Sequence, residues 1–192
     1  MSRADRLEAI LDAGARVLGE RGWHGTTMRD VADEAGVGLA TLYHYLGGRD
    51  DLLYQTQMRV LQAADASAQA ALAGRGARER LRALLTDHVR RVMARPVVAA
   101  VLAGRLGRLP GERGRRVEAL RQRYLDAVQA SIEGVLRRRA KGARGAEERA
   151  ALLLGMADRL ALDATARTPP PAPGRLAGRV VATFLDGVLP RG

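Results

Sequence analysis

Apolar side chains return every three to four residues along almost the whole chain, and nowhere do they alternate long enough to make a convincing strand. That period commits the chain to helices, because only a helix gathers positions i, i+3, i+4 and i+7 on one face. The expected fold class is therefore all-α, with about nine helices. Glycine and proline set their limits. Helices are predicted over 3–21, stopped by Gly22, and then through Ala35 from a cap at Thr26 or Thr27. Others follow at 39–46, from Arg49 or Asp50 to about 74–76, at 77–94 and at 97–107. The last three are expected at 113–140, 146–167 and 175–188, with the loop "TPPPAPG" at 168–174 between the final two.

A chain of 192 residues has room for one sizeable core, or for a small module joined to a larger one. It contains no cysteine, which excludes disulfides, thiolate metal sites and cysteine nucleophiles and suits a reducing compartment. No segment approaches the roughly 18 apolar residues of a membrane span, and the N-terminus lacks the apolar run of a signal peptide. A cytoplasmic protein with no membrane partner is expected.

The formal charge of +11 invites a nucleic-acid reading, but the charge is unevenly placed. Residues 1–55 hold six arginines against nine carboxylates, so the basic surplus lies further on, mostly between Arg75 and Arg149. Of the 32 basic residues only Lys141 is lysine. Charge alone points away from the N-terminal segment, and motif geometry has to decide.

The informative stretch is "AGVGLATLYHYL", Ala35 to Leu46, which holds two of the six Phe, Trp and Tyr residues of the chain with His44 between them. A short helix, a sharp turn and a second helix across 27–46 have the spacing of a helix-turn-helix. Val31, Ala32 and Ala35 are expected at the helix crossing, Gly36 in a turn that needs positive φ, Val37 as a core plug, and Leu42 and Leu46 as its closure. Leu39, Ala40, Thr41, Tyr43, His44 and Tyr45 then project outward or to the edges. Hydroxyls and an imidazole can donate to phosphate oxygens, and rings and the threonine methyl can meet thymine methyls. Arg29 and Arg49 flank this surface. A helical hairpin with Tyr43 and Tyr45 as core edges is the competing reading. Trp23 and His24 read more readily as a packed indole and a surface imidazole than as DNA contacts.

From Leu7 to Leu53, through "ILDAGARVLGERGWHGTTMRDVADEAGVGLATLYHYLGGRDDLL", the chain resembles the DNA-binding domain of the tetracycline-repressor (TetR) family of transcriptional regulators. The resemblance implies that Thr27 starts the second helix and that Arg29 reaches a phosphate or a base edge. It also implies that Thr41, Tyr43, His44 and Tyr45 form the reading surface, and that Arg49 stands where the family usually has a phosphate-binding lysine. Two departures matter: Gly38 replaces the usual Ser or Thr cap of the recognition helix, and Gly47-Gly48 loosen the link to the fourth helix.

On this basis residues 1–50 are expected to form the DNA-binding domain and 51–192 a ligand-binding and dimerisation domain. In the latter, His88, Tyr124 and Met156 stand on otherwise apolar faces, where family members enclose an inducer; ordinary core or surface positions are the alternative. The basic runs "RLGRLPGERGRR", from Arg105, and "LRRRAKGARG", from Leu136, are solvated faces, sites for an anionic ligand such as an acyl-coenzyme A, or supplementary DNA contacts. Leu153, Ala157, Leu160, Val180, Val181, Phe184 and Val188 suit the intersubunit four-helix bundle typical of the family, with burial inside one chain as the alternative.

The three histidines show no metal-ligand spacing, and no nucleophile–base pair can be named, so no enzyme, metal or cofactor is expected. The function implied is that of a homodimeric, ligand-responsive repressor, released from a palindromic double-stranded DNA operator by a small, hydrophobic or anionic inducer. A ligand-independent architectural DNA-binding protein is the alternative.

Overall fold

The computed structural model describes residues 2–73, 76–136 and 145–188. Among these residues there are nine helices and no strand: α1 (Arg3–Gly25), α2 (Met28–Ala35), α3 (Leu39–Tyr45), α4 (Arg49–Leu72), α5 (Ala77–Ala94), α6 (Val97–Leu102), α7 (Gly111–Leu136), α8 (Ala146–Thr165) and α9 (Pro173–Val188). The all-α expectation holds. The second basic run lies, from 137 to 144, outside the described residues.

Of the boundaries that differ from the sequence reading, three have a clear local reason. Gly22 (φ 68°, ψ 178°) kinks α1 rather than ending it, and one more turn carries the chain to Gly25. Helix α6 ends at Leu102, well before Pro110 acts, because Gly104 N–H and Arg105 N–H close a turn onto the carbonyls of Val101 (3.0 Å) and Ala100 (2.8 Å). Helix α9 begins at Pro173, inside the expected loop; a proline in the first turn gives up only an N–H that the helix would leave unpaired.

The chain folds into two compact units that do not follow chain order. Unit 1 takes Met1–Gln62 and Arg95–Arg121, and unit 2 takes Ala63–Ala94 and Gln122–Gly192, so α4 and α7 each contribute to both. In unit 1, α1 packs on α2 and α6, and α2 packs on α3. Ile10, Leu18, Val31, Leu42, Leu46, Leu52 and Leu53 form its core, none more than 1% exposed. Each such side chain contributes about 1.5–3 kcal/mol by leaving water.

A charged clasp binds the same elements. Asp12 accepts from Arg59 at 2.8 Å and from both terminal nitrogens of Arg95 at 2.7 and 3.0 Å. Burial pushes the Asp12 carboxyl up, but the two guanidiniums outweigh it and hold the group below the ordinary carboxylate range.

In unit 2, α5, α8 and α9 pack against one another, and the core includes Leu81, Leu85, Ile132, Leu153 and Leu185. Helix α8 is apolar on two sides. Ala150, Leu153, Leu154, Ala157, Ala161 and Ala164 face inward and are buried. Ala151, Leu152, Gly155, Met156 and Leu160 make a second stripe that lines an open surface groove with Glu148 and Arg159. Leu152 is 61% exposed.

This division corrects the reading of α8 and α9. Leu153, Ala157, Val180, Val181 and Phe184 were expected at an intersubunit face, yet all five are buried within one chain, where α5, α8 and α9 consume that surface. Leu160 is half-buried on the outer stripe. The side chain of Val188, the last residue of α9, lies outside the described residues.

Candidate nucleic-acid interface

Helix α2 is positioned by chemistry at both its ends. Thr27 is its N-cap: the hydroxyl accepts from Asp30 N–H at 3.2 Å and donates to Asp30 Oδ2 at 2.7 Å, while Thr27 N–H donates to the same oxygen at 2.9 Å. This reciprocal capping box satisfies donors that a helix start leaves unpaired. It also commits the Thr27 hydroxyl to the first turn of its own helix. Bonds from Thr27, with Arg21 at 2.6 Å, hold the Asp30 carboxyl below its ordinary range. Thr26, the other candidate cap, is buried and donates to the Gly22 carbonyl at 2.7 Å.

The turn out of α2 closes through Gly36, in the left-handed region at φ 63° and ψ 36°. Gly36 N–H reaches the Asp33 carbonyl at 3.1 Å, and Val37 N–H reaches that of Ala32 at 3.0 Å. These are the paired bonds of a Schellman closure, which an L-residue at position 36 would strain. Val37 is half-buried beside this turn.

Leu42 and Leu46, at 0% and 1% exposure, then anchor α3 by one side. That leaves Ala40, Thr41, Tyr43 and His44 on its opposite, exposed side, with Tyr43 at 51%. Tyr43 and His44 therefore face outward, and Tyr43 is not the core edge of a hairpin. Gly38 gives α3 no side-chain cap.

Arg29 is exposed on α2, with no ion pair among the described residues. Tyr45 is half-buried, edge-on to His44 at 5.6 Å and beneath the Arg3 guanidinium at 5.8 Å. Arg49 turns inward: its guanidinium lies 4.1 Å from the centre of the Trp23 ring, and its Nη2 donates to the Trp23 carbonyl. Cation–π attraction and that bond offset the loss of hydration. Trp23 is therefore the packed indole, and His24 the surface imidazole.

Unit 2 contains a second polar constellation, sealed from solvent. His88 of α5 is 2% exposed, with Nδ1 2.8 Å from the Tyr124 hydroxyl of α7 and Nε2 2.9 Å from Asp158 Oδ1 of α8. With the Nε2 proton directed at the carboxylate, Nδ1 accepts from the tyrosine. Burial, reinforced by the negative charge of Asp158, drives the Tyr124 hydroxyl well above its ordinary pKa. His88 and Tyr124 are thus brought together, stacked with ring centres 6.2 Å apart. Met156 is not with them; it lies in the groove on the outer stripe of α8. Asp158 was missed by the sequence reading. Its signal was present, since 150, 153, 154, 157, 158 and 161 form a single helical stripe in which it is the one charged residue.

A capped short helix, a glycine turn and a second helix anchored on one side and polar on the other define a helix-turn-helix DNA-binding module. Residues 10–56 match the family model described as "Bacterial regulatory proteins, tetR family", and residues 74–162 that of "Tetracyclin repressor-like, C-terminal domain". The chain belongs to the TetR family of transcriptional regulators. It is 31% identical over 164 residues to the HTH-type transcriptional regulator BetI of Brucella anthropi, covering 84% of each chain. It is 40% identical over 81 residues to BetI of Agrobacterium fabrum, which is 42% of this chain and 39% of that relative.

Solved structures share the fold. A TetR-family regulator from Bordetella parapertussis gives a TM-score of 0.81 at 18% identity over 97% of each chain. FadR from Bacillus subtilis, in complex with stearoyl-CoA, gives 0.68 at 19% identity over 94% of this chain and 98% of that one. Among the described residues, no helix is long and apolar enough to cross a membrane.

Proposed function

We propose that the protein is a homodimeric, ligand-responsive repressor that grips a two-fold symmetric operator with one α3 from each chain. The observation that carries this reading is the division of α3: Leu42 is fully buried, while Thr41, Tyr43 and His44 are exposed together. In this reading Thr41 and His44 contact base edges, Tyr43 and Arg29 contact phosphates, and Thr27 holds the start of α2. Tyr45 supports the surface from its edge. Arg49 joins it by leaving the Trp23 indole. Residues 1–50 serve as the DNA-binding domain and the remainder as the ligand-binding and dimerisation domain.

The intersubunit face is the outer stripe of α8, with Leu152, Met156 and Leu160 meeting their copies. A hydrophobic or anionic inducer occupies the ligand domain near His88 and Tyr124, and it releases DNA by favouring the conformation in which the two α3 helices no longer match their half-sites. An acyl-coenzyme A fits that class, as the stearoyl-CoA complex of the Bacillus regulator illustrates.

Selection of binding sites from random duplexes, followed by footprinting, tests the reading. Two inverted half-sites with centres about 34–36 Å apart, or a multiple of that, are expected. Thr41→Ala and His44→Ala should change the preferred sequence, and Arg29→Ala should weaken all duplexes. A single asymmetric site bound by a monomer would overturn it.

A further inference from the structure

The compact unit that carries the helix-turn-helix is electrically divided. Its first part, residues 1–62, holds seven arginines against nine carboxylates, a net charge of −2. Its second part, residues 95–121, holds seven arginines against two carboxylates, a net charge of +5. A duplex presents one negative charge for about every 1.7 Å of its axis, so a module with an acidic surplus needs positive charge from close by. In this unit that charge comes from the turn after α6 and the first turns of α7.

This segment is fixed beside the recognition helix. Arg113 of α7 lies over the Tyr54 ring of α4, 5.1 Å from its centre, and its Nη2 is 3.4 Å from Asp51 Oδ1. The other oxygen of Asp51 accepts from Gly47 N–H at 3.1 Å, and Gly47 stands two residues past the end of α3. One carboxylate therefore touches both the exit from α3 and the start of α7. The turn itself is pinned at Gly107, whose carbonyl accepts from Gln57 Nε2 at 2.9 Å. An added Cβ at Gly107 would come within 3.1 Å of Trp23 and of Leu53.

On this frame Arg105, Arg108 and Arg115 are exposed. The side chains of Arg105 and Arg115 make no ion pair among the described residues. Glu118 serves both Arg108 and Arg121, so one carboxylate answers two guanidiniums. Spread over eleven positions, these charges suit an extended polyanion better than one small ligand.

We propose that Arg105, Arg108 and Arg115 form a second contact with double-stranded DNA, gripping phosphates next to those reached by α3 and reading no bases. The proposal rests on the DNA-binding module but not on operator symmetry or on an inducer. Titration of the full chain with a duplex of arbitrary sequence, about 30 base pairs long, at several salt concentrations tests it. Arg105→Gln/Arg108→Gln/Arg115→Gln should weaken binding about tenfold or more, and should flatten the plot of log affinity against log salt by about 2–3. Arg115→Gln alone, at a side chain whose loss breaks no contact, should flatten it by about 0.9. Arg78→Gln/Arg167→Gln/Arg175→Gln removes the same charge from exposed positions of unit 2 and should keep the parent slope. Selection of sites from random duplexes should return the same preferred sequence for the first triple variant as for the parent. No duplex binding by the parent, an unchanged slope in the first triple variant, an equal change in the unit 2 variant, or an altered preferred sequence would overturn the proposal.

Discussion

Tyr124→Phe removes a single oxygen from the sealed constellation of unit 2. The ring stays, so its stacking on His88 is preserved and almost no cavity is made. What changes is His88 Nδ1, which loses the donor at 2.8 Å and becomes an unpaired acceptor on a residue only 2% exposed. An orphaned buried polar group costs about 1–3 kcal/mol. Relief from burying the hydroxyl offsets part of this, which leaves a net loss of about 1–2 kcal/mol. For a chain of this length that lowers the thermal midpoint by about 2–8 °C.

Urea unfolding followed by circular dichroism would measure the loss, with an unchanged denaturant slope as the control for compactness. The decisive arm repeats the change in a His88→Leu background, where no Nδ1 is left to orphan and the cost should vanish. A loss below about 0.5 kcal/mol in the first background, or the same loss in both, would mean that the tyrosine is not paired as described.

Phe184→Arg should abolish cooperative folding, because a charge would enter the core of unit 2; Leu152→Arg, on the exposed stripe of α8, should keep the helicity and, if the proposed dimer forms through that stripe, leave a monomer in light scattering. Gly36→Ala should cost about 1–2 kcal/mol in thermal unfolding through backbone strain alone, since an added Cβ meets nothing within 4 Å. Asp12→Asn should destabilise the protein at neutral pH. Because the folded-state pKa of Asp12 lies below its ordinary value of 3.8, its stabilising contribution is present above that value and is lost as pH falls through the lowered one. The gap between the two proteins should close over that interval, as pH-dependent unfolding would read.

What the sequence made legible was local. A threonine cap at 26 or 27 and the turn at Gly36 lie close together along the chain, so they could be read in line, whereas the choice of Thr27 and its Asp30 partner came with the hydrogen bonds. The inner and outer faces of α8 could not be read so, because that helix is apolar on both sides and only its packing against α5 and α9 decides which stripe is buried. Phe184 lies on the single apolar face of α9, and only the packing of that face on α5 and α8 decides that it is buried within the chain rather than against a second one. The hydrogen bonds of His88 span 36 and 70 residues, and no periodicity encodes such a pairing. The inward turn of Arg49 is also tertiary, since it depends on Trp23, 26 residues earlier.

Trp23 is the only tryptophan of the chain, and a guanidinium sits over it. Ultraviolet emission excited at the red edge of the protein band thus comes from one indole, at the junction of α1 and α4, whose excited state feels a cation 4.1 Å away. Drawing Arg49 toward a phosphate lifts that charge from the ring. The intensity and colour of the emission would then report engagement of DNA in real time, with no dye attached, and the loss of that response in Arg49→Gln would identify its source.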